Sequence, residues 1–167
     1  CAYPDVPNGA DVIGYSRPVT VSSGGRDVSV APVRPPDYHD PVHEVGALQV
    51  REGGCAVSYV DLDAQFRSSG DTDLLGFVVR GIRVFPILNA EEPTVVLEGS
   101  APLEGTGDTP AVVLLDTDWR IQRVYRGVLT WAFTGGHAAD LDGDGVFEWM
   151  VWDNLTEETV VLDARDG

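Results

Sequence analysis

Residues 140–148 read Asp-Leu-Asp-Gly-Asp-Gly-Val-Phe-Glu, and this acidic run organises the C-terminal part of the chain. Carboxylates stand at the alternate positions 140, 142 and 144, and another closes the run at 148. A tight loop with a side-chain oxygen at every second residue can surround Ca²⁺, which takes about six to eight oxygen ligands. Gly143 and Gly145 permit the sharp turns that aim these oxygens inward. We predict a calcium site whose ligands are the side chains of Asp140, Asp142, Asp144 and Glu148 and the backbone carbonyl of Val146.

A solvated acidic turn is the alternative interpretation of this run, because Asp-Gly steps are common in hairpin turns without a metal. Carboxylates this close together repel one another unless a cation neutralises them. Residues 127–163 contain neither Arg nor Lys, so the local sequence offers no positive partner. The loop does not fit an EF-hand, since the twelfth residue counted from Asp140 is Val151 and not the glutamate that this motif needs.

The rest of the sequence predicts an all-β fold. Short runs rich in β-branched residues alternate with Gly, Asp and Pro turn formers, and no segment shows a convincing helical period. The predicted strands are 11–15, 19–22, 27–30, 45–50, 56–62, 74–80, 83–88, 94–98, 111–116, 120–125, 128–133, 148–152 and 159–163. Ala111–Leu115 and Trp149–Trp152 are apolar without alternation, which predicts strands that are covered on both faces.

An internal repeat indicates how these strands are grouped. Ala101–Gly107 aligns with Ala139–Gly145 at an offset of 38 residues, and an apolar strand follows each segment. Ser69–Asp73 is a weaker third copy, and chance recurrence of glycine-rich turns is the alternative. We predict antiparallel sheets built from blade-like repeats of about 38 residues, as in a propeller or an incomplete propeller. A β-sandwich with a calcium loop is the alternative architecture. The middle copy keeps only Glu104 among the ligand positions and is predicted to bind no metal.

The segment 139–167, from Ala-Asp-Leu-Asp-Gly-Asp-Gly to Val-Val-Leu-Asp-Ala-Arg-Asp-Gly, resembles the FG-GAP/VCBS repeat of integrin-type propellers and secreted bacterial proteins. In that family the Asp-rich loop joins two blade strands and holds Ca²⁺. The resemblance therefore implies the same calcium ligands between residues 140 and 148. Because at most three copies can be counted, we expect an incomplete stack whose open edges and faces favour self-association, as in an extracellular filament or sheath.

The composition of the chain argues against some classes of binding partner. The 167 residues carry a formal net charge of −16, all 11 basic residues are Arg, and 43% of residues are hydrophobic. Such a surface repels nucleic acids and anionic membranes, so neither is an expected partner. No apolar run is long enough for a membrane-spanning helix. We predict an N-terminal Pro-rich segment of strands at residues 1–55 and a repeat-containing β domain at residues 56–167.

The two cysteines, Cys1 and Cys55, leave three interpretations open. A disulfide between them is favoured and indicates a compartment outside the reducing cytosol. Alternatively, Cys1 followed by Ala2 resembles the acylated first residue of a bacterial lipoprotein, which would give a lipid anchor. Two free thiols are the third interpretation.

No constellation in the sequence nominates a catalytic site, and we expect a protein that is not an enzyme. His39 and His43 lie in a Pro-broken acidic segment, where a surface loop is favoured over a transition-metal site. The four Trp residues, all within 119–152, favour core packing over a sugar-binding platform. The expected function is that of a secreted, calcium-stabilised structural or adhesive module at the cell surface. A carbohydrate- or protein-binding domain is the alternative, and an enzyme with an unidentified site is the third.

Overall fold

The computed structural model describes residues 18–33, 46–103, 107–127, 137–153 and 158–163. These residues form strands, one helix and one 3₁₀ turn. The strands are β1 Val19–Ser23, β2 Arg26–Val33, β3 Ala47–Glu52, β4 Cys55–Asp61, β5 Val78–Phe85, β6 Thr94–Leu103, β7 Gly107–Leu115, β8 Ile121–Arg126, β9 His137–Ala139, β10 Glu148–Asp153 and β11 Glu158–Leu162. Helix α1 spans Leu62–Ser69, and the 3₁₀ turn spans Thr72–Leu74.

The strands form three antiparallel sheets in which neighbours along the chain are neighbours in the sheet. The first sheet has the order β1-β2-β3-β4, the middle sheet β5-β6-β7-β8, and the C-terminal sheet β9-β10-β11. The prediction of an all-β fold with antiparallel sheets is confirmed. The described residues do not close into a barrel or a propeller.

The middle sheet lies between two separate apolar clusters. The larger cluster joins one of its faces to the first sheet and to α1, and it includes Val30, Leu48 and Phe66 together with Leu97 and Val113. The smaller cluster lies on its other face, where Val96, Val112 and Leu114 contact Trp149 of β10. Hydrophobic burial on both faces therefore holds the three sheets together as successive layers.

Strand β7 shows why the sequence of the middle sheet does not alternate. Ala111, Val113 and Leu115 belong to the larger cluster, and Val112 and Leu114 belong to the smaller one. None of these five side chains is more than 1% exposed. The prediction that residues 111–115 are covered on both faces is thus confirmed, because an apolar residue at every position has a layer to pack against.

The prediction that the chain contains no helix is wrong at residues 62–69. Asp61 caps α1 by accepting a hydrogen bond from the Ala64 N–H at 2.9 Å, and Gly70 ends it in a left-handed conformation. Leu62 and Phe66, one helical turn apart, are both fully buried in the larger cluster. This helix carries the chain from the first sheet to the middle sheet.

The strands predicted at 74–80 and 83–88 are also corrected by the structure. Residues 72–74 form the 3₁₀ turn, and β5 runs without interruption from Val78 to Phe85. Gly81 lies inside β5, where the pairing with β6 shifts register by a bulge. The sequence around Gly81 predicts a break between two strands, but in the structure this glycine belongs to a single strand.

The other predicted strands within the described residues match β1–β4, β6–β8, β10 and β11, with ends that differ by a few residues. The strands predicted at 11–15 and 128–133 lie outside the described residues.

The domain boundary at residue 55 stays a prediction. The β3–β4 hairpin spans that position, and the larger cluster contains residues from both sides of it. Within the described ranges, no helix has the length and apolar character needed to cross a bilayer.

Candidate metal centre

The acidic loop connects β9 to β10, two antiparallel neighbours in the C-terminal sheet. The pairing register places Ala139 directly opposite Glu148. The first and last residues of the predicted site, Asp140 and Glu148, are therefore brought to the same end of the hairpin. Because the hairpin reverses the chain direction, the carboxylate of Glu148 can lie next to that of Asp140 although the two residues are eight positions apart.

Backbone N–H groups of the loop bind its own carboxylates. Asp140 accepts hydrogen bonds from the N–H groups of Gly143 and Gly145, at 2.6 and 3.0 Å. Glu148 accepts one from the Leu141 N–H at 2.8 Å, which ties the end of the loop to its beginning. Both glycines have left-handed φ angles, 81° at Gly143 and 87° at Gly145, so larger side chains would be strained at these positions.

Three of the four predicted acidic ligands come together. One carboxylate oxygen from each of Asp140, Asp142 and Glu148 lies within 4.8 Å of the others. Oxygens bound to a common Ca²⁺ at about 2.3–2.6 Å can be at most about 5 Å apart, so this spacing fits a single ion. Asp144 is not in this group, and its Oδ1 accepts a hydrogen bond from the Val146 N–H at 2.9 Å. The roles of Asp144 and of the Val146 carbonyl as ligands stay predictions.

The donor set fits a hard cation. The three grouped side chains are all carboxylates, which suit Ca²⁺ or Mg²⁺ and not the softer metals that prefer thiolate or imidazole. A carboxylate has about four lone-pair positions, so accepting a backbone N–H does not prevent it from binding a metal. Asp140 and Asp142 are exposed, whereas Glu148 is only 6% exposed. An ion at this position would be open to solvent on one side and held by the sheet on the other.

The loop is attached to the middle sheet as well as to its own hairpin. The Phe147 N–H donates to the Pro86 carbonyl oxygen at 2.9 Å, just after the end of β5. A Cβ on Gly145 would lie 3.1 Å from the Cβ of Ala90 in the β5–β6 connection. Phe147 also packs against the cluster that contains Trp149. Ordering of the loop by an ion would therefore stabilise the contact between the middle and C-terminal sheets.

The other residues that the sequence singled out are the tryptophans, the histidines and Glu104, and only some of them lie in the described part of the chain. Trp149 is buried in the core, as the sequence favours, and Trp119 is partly buried against the larger cluster. His137 lies in β9 immediately before the loop. His39, His43, Trp131 and Glu104 lie outside the described residues, so the predictions about them are unchanged.

Cys55 forms a disulfide bond. The sequence contains one other cysteine, Cys1, which lies outside the described residues. A disulfide at the start of β4 agrees with the favoured interpretation of the cysteines, and the location of the protein stays a prediction.

Among the described carboxyl groups, the most displaced pKa lies away from the loop, at Glu98 in the middle of β6. Its side chain is 8% exposed, and burial raises its pKa to about 7, with a partial opposing effect from Arg83. Arg83 Nε lies 3.1 Å from Glu98 Oε1, but the alignment is not that of a hydrogen bond and this oxygen accepts none. The imperfect pairing explains why the arginine does not cancel the cost of burial.

Glu98→Gln is expected to remove a pH dependence of stability. The native protein holds a proton on Glu98 that the unfolded chain releases near pH 4.5, so the free energy of unfolding falls as the pH rises from 4.5 to about 7. At about 1.4 kcal/mol per pKa unit, the loss is up to about 3 kcal/mol. Urea unfolding of both proteins across this pH range measures it. The exposed Glu92→Gln is the control, and identical pH profiles for Glu98→Gln and the parent protein would contradict the assignment.

No model of a known protein family matches this sequence, and neither a curated protein nor a solved structure shows significant similarity to it. The resemblance to the FG-GAP/VCBS repeat therefore rests on the residues of 139–167 alone.

Proposed function

We propose that this protein is a calcium-stabilised structural module of an extracellular or cell-surface assembly. One observation carries the proposal: the β9–β10 register brings the carboxylates of Asp140, Asp142 and Glu148 within 4.8 Å of one another. A divalent cation would remove the repulsion between these charges and fix the hairpin. Since Phe147 and Gly145 adjoin the β5–β6 connection, the ion would also stabilise the packing of neighbouring sheets.

The architecture supports a module made of blade-like units. Each sheet is a meander of consecutive strands, and successive sheets pack face to face, as blades do in a propeller. Ala101 lies near the end of β6 and Ala139 at the end of β9, and each of these strands pairs with the antiparallel strand that follows it; this common position favours the repeat of about 38 residues. In this proposal the segment 139–167 is an FG-GAP/VCBS-like unit that has kept its calcium ligands.

Self-association is the proposed mode of assembly. Met150 pairs with Val161 across β10 and β11, on the face that alternates with Trp149, and Val161 is 48% exposed. This face is the side of the C-terminal sheet that points away from the middle sheet. A sheet from another copy of the chain could pack against it and extend the stack. A formal net charge of −16 opposes such contacts, so bound calcium would favour them by lowering the repulsion.

The disulfide at Cys55 supports a location outside the reducing cytosol. The role proposed for the chain is structural or adhesive and involves no catalysis. A lipid anchor and a Cys1–Cys55 disulfide exclude each other, because both would use the sulfur atom of Cys1.

A calcium titration of the metal-free protein by calorimetry tests the proposal. We expect one ion per chain, weaker binding of Mg²⁺ because it demands a tighter octahedral set of ligands, and no binding to Asp142→Asn. Light scattering on the same samples should show a mass above that of one chain when calcium is present. Absence of calcium binding would refute the metal site, and a strictly monomeric protein in calcium would refute self-association.

A further inference from the structure

A cavity of about 310 Å³ opens between the first sheet and the turn that joins β7 to β8, and none of its lining residues belongs to the acidic loop. Its size is at the lower end of the range for small-molecule sites, roughly 300–1,000 Å³. The apolar part of its lining consists of valines from the first sheet, namely Val21, Val28, Val50 and Val57. The other part comes from the ends of the β1–β2 hairpin and from Thr117, Asp118 and Trp119.

Trp119 is held at this cavity in a backbone conformation that bulky residues rarely adopt. Its φ angle is 65°, and no other described residue except glycine has a positive φ. Such a conformation costs free energy and persists only where surrounding contacts enforce it. The indole also packs against the larger apolar cluster, so its position relative to the cavity is constrained on two sides.

Two polar side chains enforce this conformation. Gln65 of α1 donates from Nε2 to the Trp119 carbonyl oxygen at 2.8 Å and accepts from the Ile121 N–H at 2.9 Å. Asp116 accepts from the N–H groups of Asp118 and Arg120, at 3.0 and 2.9 Å. The turn is thus bound both to a helix from another part of the chain and to its own first residue, which keeps the indole at the cavity.

The rim combines hydrogen-bond donors with acceptors. Arg26 contributes a guanidinium group whose orientation is fixed by two contacts to Glu52, Nε to Oε1 at 2.9 Å and Nη2 to Oε2 at 2.5 Å. Asp118 contributes an exposed carboxylate, and Ser23 and Thr117 contribute hydroxyl groups that both donate and accept. The lining contains one positive and one negative side chain, Arg26 and Asp118, and the positive one is already paired with Glu52.

We propose that this cavity binds a neutral sugar ring. The C–H face of a sugar is attracted to the negative face of an indole, and its hydroxyls need neighbouring donors and acceptors, which the rim supplies. A purely apolar ligand would bury the polar groups of the rim without partners, at a cost in affinity. A polyanion is disfavoured by the net charge of −16. This inference goes beyond the proposed function and does not rest on calcium binding.

Neutral mono- and disaccharides of glucose, galactose, mannose and N-acetylglucosamine, titrated into the ¹⁵N-labelled full chain, provide the test. We expect at least one sugar to shift the Trp119 indole N–H resonance and the backbone amide resonances of Thr117 and Asp118 in a saturable way; the amide resonances measure binding in the Trp119 variants. Trp119→Ala should weaken binding by roughly tenfold or more, and Trp119→Phe by less, since a smaller aromatic face remains. Asp118→Asn should weaken it by roughly tenfold through loss of a charge-assisted hydrogen bond.

Asp73→Asn makes the same chemical change on an exposed carboxylate of the 3₁₀ turn, outside the cavity and the acidic loop, and should leave sugar binding unaltered. Asp118 is exposed, so its variant decides the matter if Trp119→Ala fails to fold. No response to any of these sugars would overturn the proposal. So would binding that survives undiminished in Asp118→Asn and in a folded Trp119→Ala variant. Displacement of the same indole signal by a peptide, with none by sugars, would reassign the cavity to protein recognition.

Discussion

Removal of calcium is expected to lower the melting temperature of the protein by about 8–16 °C. A ligand present at a thousand times its dissociation constant stabilises the native state by about 4 kcal/mol, because it binds the folded protein and not the unfolded chain. For a chain of this length, each kcal/mol shifts the melting temperature by about 2–4 °C. Scanning calorimetry in excess calcium and in excess chelator measures the difference.

Asp142→Asn should abolish most of this sensitivity to chelator. The amide keeps an oxygen that can accept the hydrogen bond that the Asp144 N–H gives to Asp142 at 3.2 Å, while the negative charge that attracts the cation is lost. In chelator the variant should be at least as stable as the parent protein, since one of three mutually repelling carboxylates is gone. Asp73→Asn, an exposed carboxylate in the 3₁₀ turn, is the matched control and should keep the full calcium effect. Equal melting temperatures with and without calcium in the parent protein would refute the site.

Gly99→Ala should destabilise the protein by about 3 kcal/mol or more, the upper part of the range for overpacked sites. A Cβ at this position would lie 2.0 Å from the Val78 carbonyl oxygen and 2.7 Å from Cζ of Phe77. The ring of Phe77 fills the place of the missing side chain and meets the ring of Phe66 edge to face, with centroids 6.1 Å apart. Because one obstacle is the backbone of the paired strand β5, no change of rotamer can relieve the contact. Denaturant unfolding at neutral pH measures the effect.

Gly81→Ala is the matched control, since Gly81 lies in β5, the partner strand of the β6 segment that contains Gly99. The nearest atom to its added Cβ is Oε2 of Glu98, at 3.0 Å, the end of a side chain that can move. Its cost should be about 1 kcal/mol, near the lower limit for overpacking. Comparable losses in the two variants would show that the closeness of Gly99 to the β5 backbone and to Phe77 does not limit stability.

The layered fold was predictable where the apolar pattern was long and uninterrupted. Residues 111–115 lack a polar face, and this alone required a layer on each side. Helix α1 was missed because eight residues give little periodicity, yet Asp61, Gly70 and the spacing of Leu62 and Phe66 were usable start, stop and packing signals. The bulge at Gly81 depends on its partner strand, which a single sequence does not identify.

The grouping of Asp140, Asp142 and Glu148 was predictable because these residues are local in sequence and a hairpin brings them together. The cavity at Trp119 was not, since its indole is positioned by Gln65, which is 54 residues away along the chain. Glu98 likewise resembles an ordinary polar residue of a half-exposed strand. Glu98 is buried because other sheets pack on the two faces of the sheet that contains β6, and the local sequence does not show which sheets pack there.

The arrangement of strands has a consequence for how the molecule is made. Every pairing within the three sheets joins strands that are adjacent in the sequence. Such short-range topology incurs little loop-closure entropy, so each meander can form as soon as its own residues are available. During synthesis the three sheets can then pack one upon another in chain order, with the acidic hairpin completing the last of them after the middle sheet has already formed.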